Sequence, residues 1–486
     1  MPDTPTFFEK YLAKHWQQLL LLLIVGLVLR GATFGNPNLH LDDSFYFLVG
    51  LEMHHGKLPY VDIWDRKPLG LFLIYYLITG ISKSIVAYEI AAWLFASATA
   101  MMINLIARTW TRTQGGILAG VTYLLMLPLF QGWGGQSPVF YNLFIVSAYL
   151  LVLRDSANLR SGRGTWRTFA AMGLCGLALT VKQTTIFEAV FLGLYASFLL
   201  KPGKLASVIA IFGWIALGIL PTALIALTYF ERGHWSEYWQ AMVTANLTKG
   251  ALPLPAILLN LLRMILRLYP LLAMAAAGLV VCDKNARPFV VGWVAAAMLG
   301  MAIIPNFYTH YALSLLVPLS VAASFILQRR DIGTFAAAMA GCFSLVIYNP
   351  FDFAESSRSA QSLERMAAAI RAHDSGNGLF VADGPVGLYA LAGKEPLSPL
   401  AFPPHLLDWI ERDTSPLRTA DALDRILQRK PGVVAIAAIP STNLSDGRTR
   451  RETMAYVTRN CRLVDTQISY EVVQTAVIRI YGDCLR

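Results

Sequence analysis

Eleven stretches of this 486-residue chain, near 18–34, 68–82, 86–107, 115–132, 138–153, 168–200, 205–229, 255–281, 289–304, 311–327 and 333–348, are predominantly apolar. Most approach the roughly 20 residues a helix needs to cross a bilayer core. Lipid offers no partner to a bare N–H or C=O, so repeated runs of this kind fold as a bundle of membrane-spanning helices. The run at 168–200 is broken by Lys182-Gln183 and reads as one span or as two, which sets the expected number at 11 to 13. Composition agrees: 56% of residues are hydrophobic and 14% charged, against roughly 45–50% and 25% in soluble globular proteins. An ordinary soluble enzyme is excluded.

The net charge of +10 does not point to nucleic acid, because the basic residues stand in short clusters between apolar runs and not in basic-aromatic patches. Residues 1–350 hold 24 Lys+Arg and 14 Asp+Glu, whereas 351–486 hold 16 of each. The excess therefore belongs to the apolar part. The cluster Arg154, Arg160, Arg163, Arg167 and the pairs Lys201/Lys204, Lys284/Arg287 and Arg329/Arg330 are expected on the cytoplasmic side. No small-residue cleavage site closes the first run, which follows Lys10, Lys14 and His15. It reads as an uncleaved span with a cytoplasmic N-terminus. Working back from Arg329/Arg330 places 35–67, about 231–255, 306–310 and the tail outside. One conflict stays open: counting 168–200 as two spans makes the chain ends disagree in side unless 255–281 is also two.

The expected division is a transmembrane domain over 1–350 and a small external α/β domain over 351–486. In the tail, Leu379 to Asp383, Val433 to Ala437 and Val472 to Tyr481 read as strands, with helical patterns at 358–372 and 417–429. No glycine-rich phosphate loop or metal motif appears there. Cys175, Cys282, Cys342, Cys461 and Cys484 are too scattered for a disulfide framework or zinc motif. A Cys461 to Cys484 bond is compatible with a tail in an oxidising compartment.

Residues 35–67 are where chemistry concentrates. Asp42, Asp43, Glu52, Asp62 and Asp65 are five of the 14 acids in 1–350, and His40, His54, His55, Lys57, Arg66 and Lys67 accompany them. Ionisable groups near bilayer depth are expensive unless they serve a function; a solvated loop whose charges merely stay wet is the alternative. The adjacent His54 and His55 cannot share one face of a helix toward a metal. Trp235, Tyr238 and Trp239 read as interface anchors, and Arg263 and Arg267 as a snorkelling pair.

The order of these residues carries a resemblance. Leu41-Asp42-Asp43-Ser44-Phe45-Tyr46, followed by Gly56-Lys57-Leu58-Pro59-Tyr60-Val61-Asp62 and then Arg66-Lys67-Pro68 at the mouth of an apolar helix, resembles the first external loop of the polyprenyl-phosphate-dependent glycosyltransferases of GT-C type. These include the protein O-mannosyltransferases and the lipid A aminoarabinose transferases. Asn306 to Tyr311, leading into the run with Pro318, is similar to the family's late-helix segment, and Phe380 to Gly393 to the small external domain of its bacterial members. A departure stands at Gly134-Gly135-Gln136-Ser137-Pro138, where many relatives carry a second acid.

The resemblance implies a polytopic helical fold in a bacterial inner membrane, with the site and the tail periplasmic. The donor would be a sugar on polyprenyl (undecaprenyl) phosphate, the acceptor a lipid, glycan or protein, and the reaction an inverting displacement. Asp42 is the expected base, and Asp43 its orienting partner or a ligand for a divalent ion (Mg, Mn or Zn). Tyr46, Tyr60, Asp62, Arg66 and Lys67 are expected to bind substrate, with Lys67 on the phosphate. Lys182 sits outside beside the phosphate if 168–200 is two spans, and pairs with a group such as Glu188 if it is one. His310 and Tyr311 would touch phosphate or acceptor, or serve as ordinary interfacial residues. The rival class is a transporter or flippase of lipid-linked sugars, whose acids belong within spans, where only Glu89 and Glu188 lie.

Overall fold

Apolar helices dominate the computed structural model, which describes residues 7–200, 205–445, 447–471 and 475–484. The Lys201/Lys204 pair and residues 472–474, the start of the expected last strand, lie outside the described residues. Among the described residues eight helices are long and apolar enough to cross a membrane: His15–Thr33, Ile85–Ala107, Thr113–Phe130, Ser137–Arg160, Gln183–Leu200, Leu205–Glu231, Leu254–Val280 and Arg330–Ile347. Four shorter apolar helices accompany them, Leu69–Ile81, Trp166–Val181, Arg287–Ala302 and Leu316–Leu327. This is a multi-span membrane protein. Phe212, Ile215, Ile219 and Leu224 on Leu205–Glu231 are exposed, as befits a helix whose neighbours are lipid tails.

The chain forms two compact units. The first comprises residues 1–32, 90–225 and 253–351. In it His15–Arg30 and Ile85–Ala107 run antiparallel: Trp93 donates its indole N–H to Leu23 O at 3.0 Å, Asn104 donates to Gln18 Oε1 at 2.8 Å, and Arg108 lies 3.4 Å from His15 Nδ1. Gly26 is required at their crossing, since a Cβ there would stand 2.7 Å from Ser97 Oγ.

The two ends of this bundle are distinct. At one end Arg30 donates to the carbonyls of Gly132 and Trp133, Tyr348 stacks on Trp133 with centroids 5.3 Å apart, and Asn260 donates to Asn306 O at 3.0 Å. At the other, Arg112 N–H meets Gln328 Oε1 at 3.3 Å and Gln114 meets Arg330 O at 3.0 Å. This arrangement removes the conflict in the sequence reading. The chain leaves the bundle after Ala32 and re-enters it on Ile85–Ala107 at the same end. Leu69–Ile81, expected as a crossing from the run at 68–82, is therefore not one. Leu254–Val280 is a single helix despite Pro270 within it, and 168–200 is two helices, broken at Lys182 before the 3-10 turn Gln183–Thr185. Among the described residues eleven apolar helices remain in the bundle, an odd number.

The second unit comprises residues 33–89, 226–252 and 352–486. The tail thus joins two other segments in one unit, a wider grouping than a boundary near 350 suggests. Its sheet has the order β1-β2-β4-β3, from β1 Leu379–Asp383, β2 Val433–Ala437, β3 Arg462–Tyr470 and β4 Thr475–Gly482, with β1 and β2 parallel and the other pairs antiparallel. Both parallel strands are buried throughout, which is why they read as unbroken apolar runs. Helix Phe353–His373 covers β3, with Ser359 and Ser362 donating to the carbonyls of Tyr470 and Ile468 at 2.9 and 2.6 Å.

Cys461 and Cys484 form a disulfide across a sequence separation of 23. Closing such a loop stabilises the folded tail by about 3 kcal/mol. Cys461→Ser is expected to cost the second unit about 2–4 kcal/mol, read as faster proteolytic cleavage within 352–486 of the detergent-purified protein; an unchanged cleavage rate would refute this.

Candidate active site

Residues 35–67, expected as a loop, fold instead around a helix, Leu41–His54. His40 caps it, its Nδ1 accepting the Asp42 N–H at 3.1 Å. Asp42 and Asp43 occupy its first turn, where the free N–H groups and the helix dipole favour negative charge. The two acids are not equivalent. Asp43 is fully buried, whereas the Asp42 side chain keeps 17% exposure, so Asp42 is the more accessible of the two.

One turn on, Tyr46 is buried against Phe72 and Tyr75, and Lys67 Nζ lies 5.3 Å from its ring centroid. Burial, then the charges of Asp42, Asp65 and Asp43, push its phenol well above the usual value. It remains a protonated donor, and its hydroxyl has no hydrogen-bond partner among the described residues. Tyr46 thus feels the charges of the Asp pair and carries Lys67 on its ring face.

The segment that delivers Lys67 is tightly built. Tyr60 adopts φ +72°, a conformation that L residues enter only under constraint. Its N–H donates to Ile63 O at 2.7 Å and its hydroxyl to Lys67 O at 2.9 Å, while its ring meets Tyr229 and Tyr238. Asp62 is exposed and accepts the Leu58 N–H at 2.8 Å, closing the preceding turn. Asp65, buried, accepts the N–H groups of Arg66 and Lys67 at 2.5 and 3.1 Å, and its other oxygen lies 3.8 Å from Lys67 Nζ. Arg66 makes a two-pronged ion pair with Glu411. Pro68, with φ −61° and no N–H to leave unpaired, caps Leu69–Ile81.

Lys182, His310 and Tyr311 belong to the first unit, where they come together. Lys182 Nζ lies 5.8 Å from the Tyr311 ring centroid, and His310 packs edge-on against Tyr311 while its Nδ1 meets Gln131 Oε1 at 3.2 Å. Glu188 receives the Trp293 indole N–H at 2.7 Å. Gln136 caps Ser137–Arg160 and is buried. His54 stacks on Tyr76 and His55 faces Glu52, so the two histidines point to different partners. Tyr238 is buried in an aromatic cluster.

Four residues of the second unit complete the surroundings of Lys67 without a sequence signal that marks them as a set. Asp65 stands within the Tyr60 to Lys67 stretch; Lys249, His405 and Glu411 come from distant segments. Lys249 contacts Glu411 at 2.7 Å, and burial with the nearby Arg66 lowers its ammonium to about 8. Burial opposes ionisation of Glu411, but Arg66 and Lys249 hold its carboxyl well below the usual range. His405 is buried against Phe45 and Phe402, and burial lowers it from 6.5 to about 4.

His405 and Glu411 make the second unit acid-sensitive. The unfolded chain takes up a proton at His405 near pH 6.5 while the folded one resists until about 4, so stability is lost as pH falls through that window. The Glu411 contribution, present above 4.5, is lost in the same direction. His405→Phe, which keeps the aromatic contacts and removes the titration, should flatten thermal stability between pH 6.5 and 4.5; an unchanged slope would contradict this assignment.

Among the described residues no three His, Cys, Asp or Glu side chains converge where a metal ion fits. Asp43 with Asp42 alone does not make a protein-only cation site.

No protein-family model matches the chain, and neither does any curated protein. Solved structures do. ArnT from Cupriavidus metallidurans bound to undecaprenyl phosphate is 12% identical, with 95% of this chain and 97% of that chain covered and a TM-score of 0.61. This is a GT-C glycosyltransferase fold. Two Archaeoglobus fulgidus structures share it at a TM-score of 0.50: the oligosaccharyltransferase in the apo form, at 12% identity over 89% of this chain and 70% of that one, and the oligosaccharyltransferase AglB with an inhibitory peptide and a dolichol-phosphate, at 11% over 98% and 75%. Within the GT-C fold the acid pair on Leu41–His54 and the Lys67 turn stand in one compact unit with the tail.

Proposed function

We propose that this protein is an integral membrane glycosyltransferase that moves a sugar from a polyprenyl-phosphate donor to an acceptor hydroxyl. The observation that carries it is a partly exposed acid, Asp42, at the start of Leu41–His54, in one compact unit with a cation, Lys67, that lies against the Tyr46 ring one turn on. Asp42 accepts the proton of the attacking hydroxyl. Lys67 meets the phosphate as it departs. One displacement with a leaving phosphate inverts the anomeric carbon. A neighbour in this fold holds undecaprenyl phosphate, the kind of lipid this reaction would release.

The arginine clusters at 154–167 and 329–330 favour a cytoplasmic side for the end of the bundle away from Arg30, and we read the second unit as periplasmic, in a bacterial inner membrane. The Cys461–Cys484 disulfide accords with that side. The acceptor is a lipid, a glycan or a protein. A transport role has no support: Glu89 and Glu188, the acids that the sequence places within spans, are tied to local partners, the Gly35 N–H at 2.7 Å and the Trp293 indole.

The test is mass spectrometry of envelope lipids and glycans from cells lacking the protein, complemented with wild type or Asp42→Asn. One glycan should lose a defined sugar mass that wild type restores and the variant does not. Full restoration by normally expressed Asp42→Asn would remove Asp42 from the chemistry and favour transport or binding.

A further inference from the structure

The tail contributes one acid that the proposed reaction leaves unused. Glu411 ends the 3-10 turn Trp409–Glu411 and is 6% exposed. Its oxygens receive both terminal nitrogens of Arg66 and, at 2.7 Å, Lys249 Nζ. Three distant segments thus meet on a single carboxylate. Arg66 adjoins Lys67, and the backbone around the pair is fixed from both sides. Asp65 and Tyr60 hold the N–H and carbonyl of Lys67 from within the segment. From the tail, Pro399 O accepts the Trp64 N–H at 2.8 Å, and Glu411 grips the Arg66 head.

Lys67 itself is held loosely, with a 3.8 Å ionic contact to Asp65 and the Tyr46 ring face at 5.3 Å. Its ammonium is therefore aimed by its backbone more than by its own contacts. A backbone pinned by a paired guanidinium is as stiff as the pair: without Glu411, Arg66 and Lys249 become two neighbouring, partly buried cations that have lost their shared anion, and their repulsion drives the turn open.

We propose that Glu411 is a positioning residue for the donor-phosphate site, holding Arg66 and through it the turn that presents Lys67. The inference rests on the reading of Lys67 as the phosphate ligand, and it gives the tail a defined role, that of a brace which completes the site and touches no substrate. Misplacing a binding group by an ångström is enough for losses of about 10²-fold.

The test uses the full chain, purified in detergent, and undecaprenyl phosphate without sugar as the probe. Kd is measured for wild type, Lys67→Ala, Glu411→Gln and Glu411→Asp, together with thermal midpoints. Glu411→Gln should raise Kd by about 10- to 100-fold, and Glu411→Asp, which keeps the charge, should recover much of that loss. Should Glu411→Gln not remain monodisperse, Glu411→Asp decides alone, with a Kd expected between wild type and Lys67→Ala. A folded Glu411 variant that binds like wild type while Lys67→Ala has lost the lipid overturns the positioning role and leaves the phosphate reading intact. A lowered midpoint with unchanged Kd likewise overturns it, marking Glu411 as structural only. Wild-type affinity in Lys67→Ala overturns the phosphate reading and this inference with it.

Discussion

Asp42→Asn is expected to lower turnover by about 10²–10⁴-fold while leaving polyprenyl-phosphate binding nearly unchanged. The amide keeps the size of the side chain and the helix cap, since the cap is the bond from the backbone N–H of residue 42 to His40 Nδ1. It removes only the capacity to take a proton. Asp42 keeps 17% side-chain exposure, so the isosteric amide is accommodated, and the variant should fold. Asp43→Asn differs in kind: the side chain is fully buried, so its effect will mix destabilisation with chemistry. The measurement is single-turnover transfer alongside lipid binding for the Asp42 variant. A binding loss as large as the rate loss would show that the carboxylate holds the donor and is not the base.

The helical membrane class was legible because burying backbone in lipid leaves one economical solution, long apolar helices, and their sequences announce it. Crossing number was less so. Leu69–Ile81 is as apolar as its neighbours, and only the packing of Trp93, Asn104 and Arg108 along His15–Arg30 shows that the chain returns at the end it left. Of the site, Asp42, Asp43, Tyr46, Tyr60 and Lys67 could be read because they lie on one continuous segment of fewer than thirty residues. That this segment forms a helix was hidden by its acids and histidines, which look like solvent-facing loop; the helix N-terminus makes acids favourable there. Glu411, Lys249 and His405 were illegible for a plainer reason. Each is an ordinary polar residue in sequence, and only a fold that brings 226–252 and the tail against 33–89 makes them neighbours. Strand β3 was missed likewise, since its charged, half-exposed pattern becomes a strand only when β4 and Phe353–His373 accept it.

Lys67→Ala should cost about 10²–10³-fold in turnover, and its signature lies in what happens to the product. The donor phosphodiester carries a single negative charge, whereas the released polyprenyl phosphate carries nearly two at neutral pH. A cation at the leaving group therefore gains most of its interaction energy as the bond breaks, and that gain accelerates the step. The same differential makes the product bind more tightly than the donor. Removing Lys67 should then weaken inhibition by polyprenyl phosphate more than it raises the KM for donor, so the ratio of product Ki to donor KM rises. Lys67→Arg restores charge, but a planar fork in place of a compact ammonium must sit beside Asp65 and over the Tyr46 ring, and only partial recovery is expected. If Ki and KM shift by the same factor in Lys67→Ala, the lysine contributes uniform binding alone, and the charge that drives the departing phosphate must come from elsewhere in the fold.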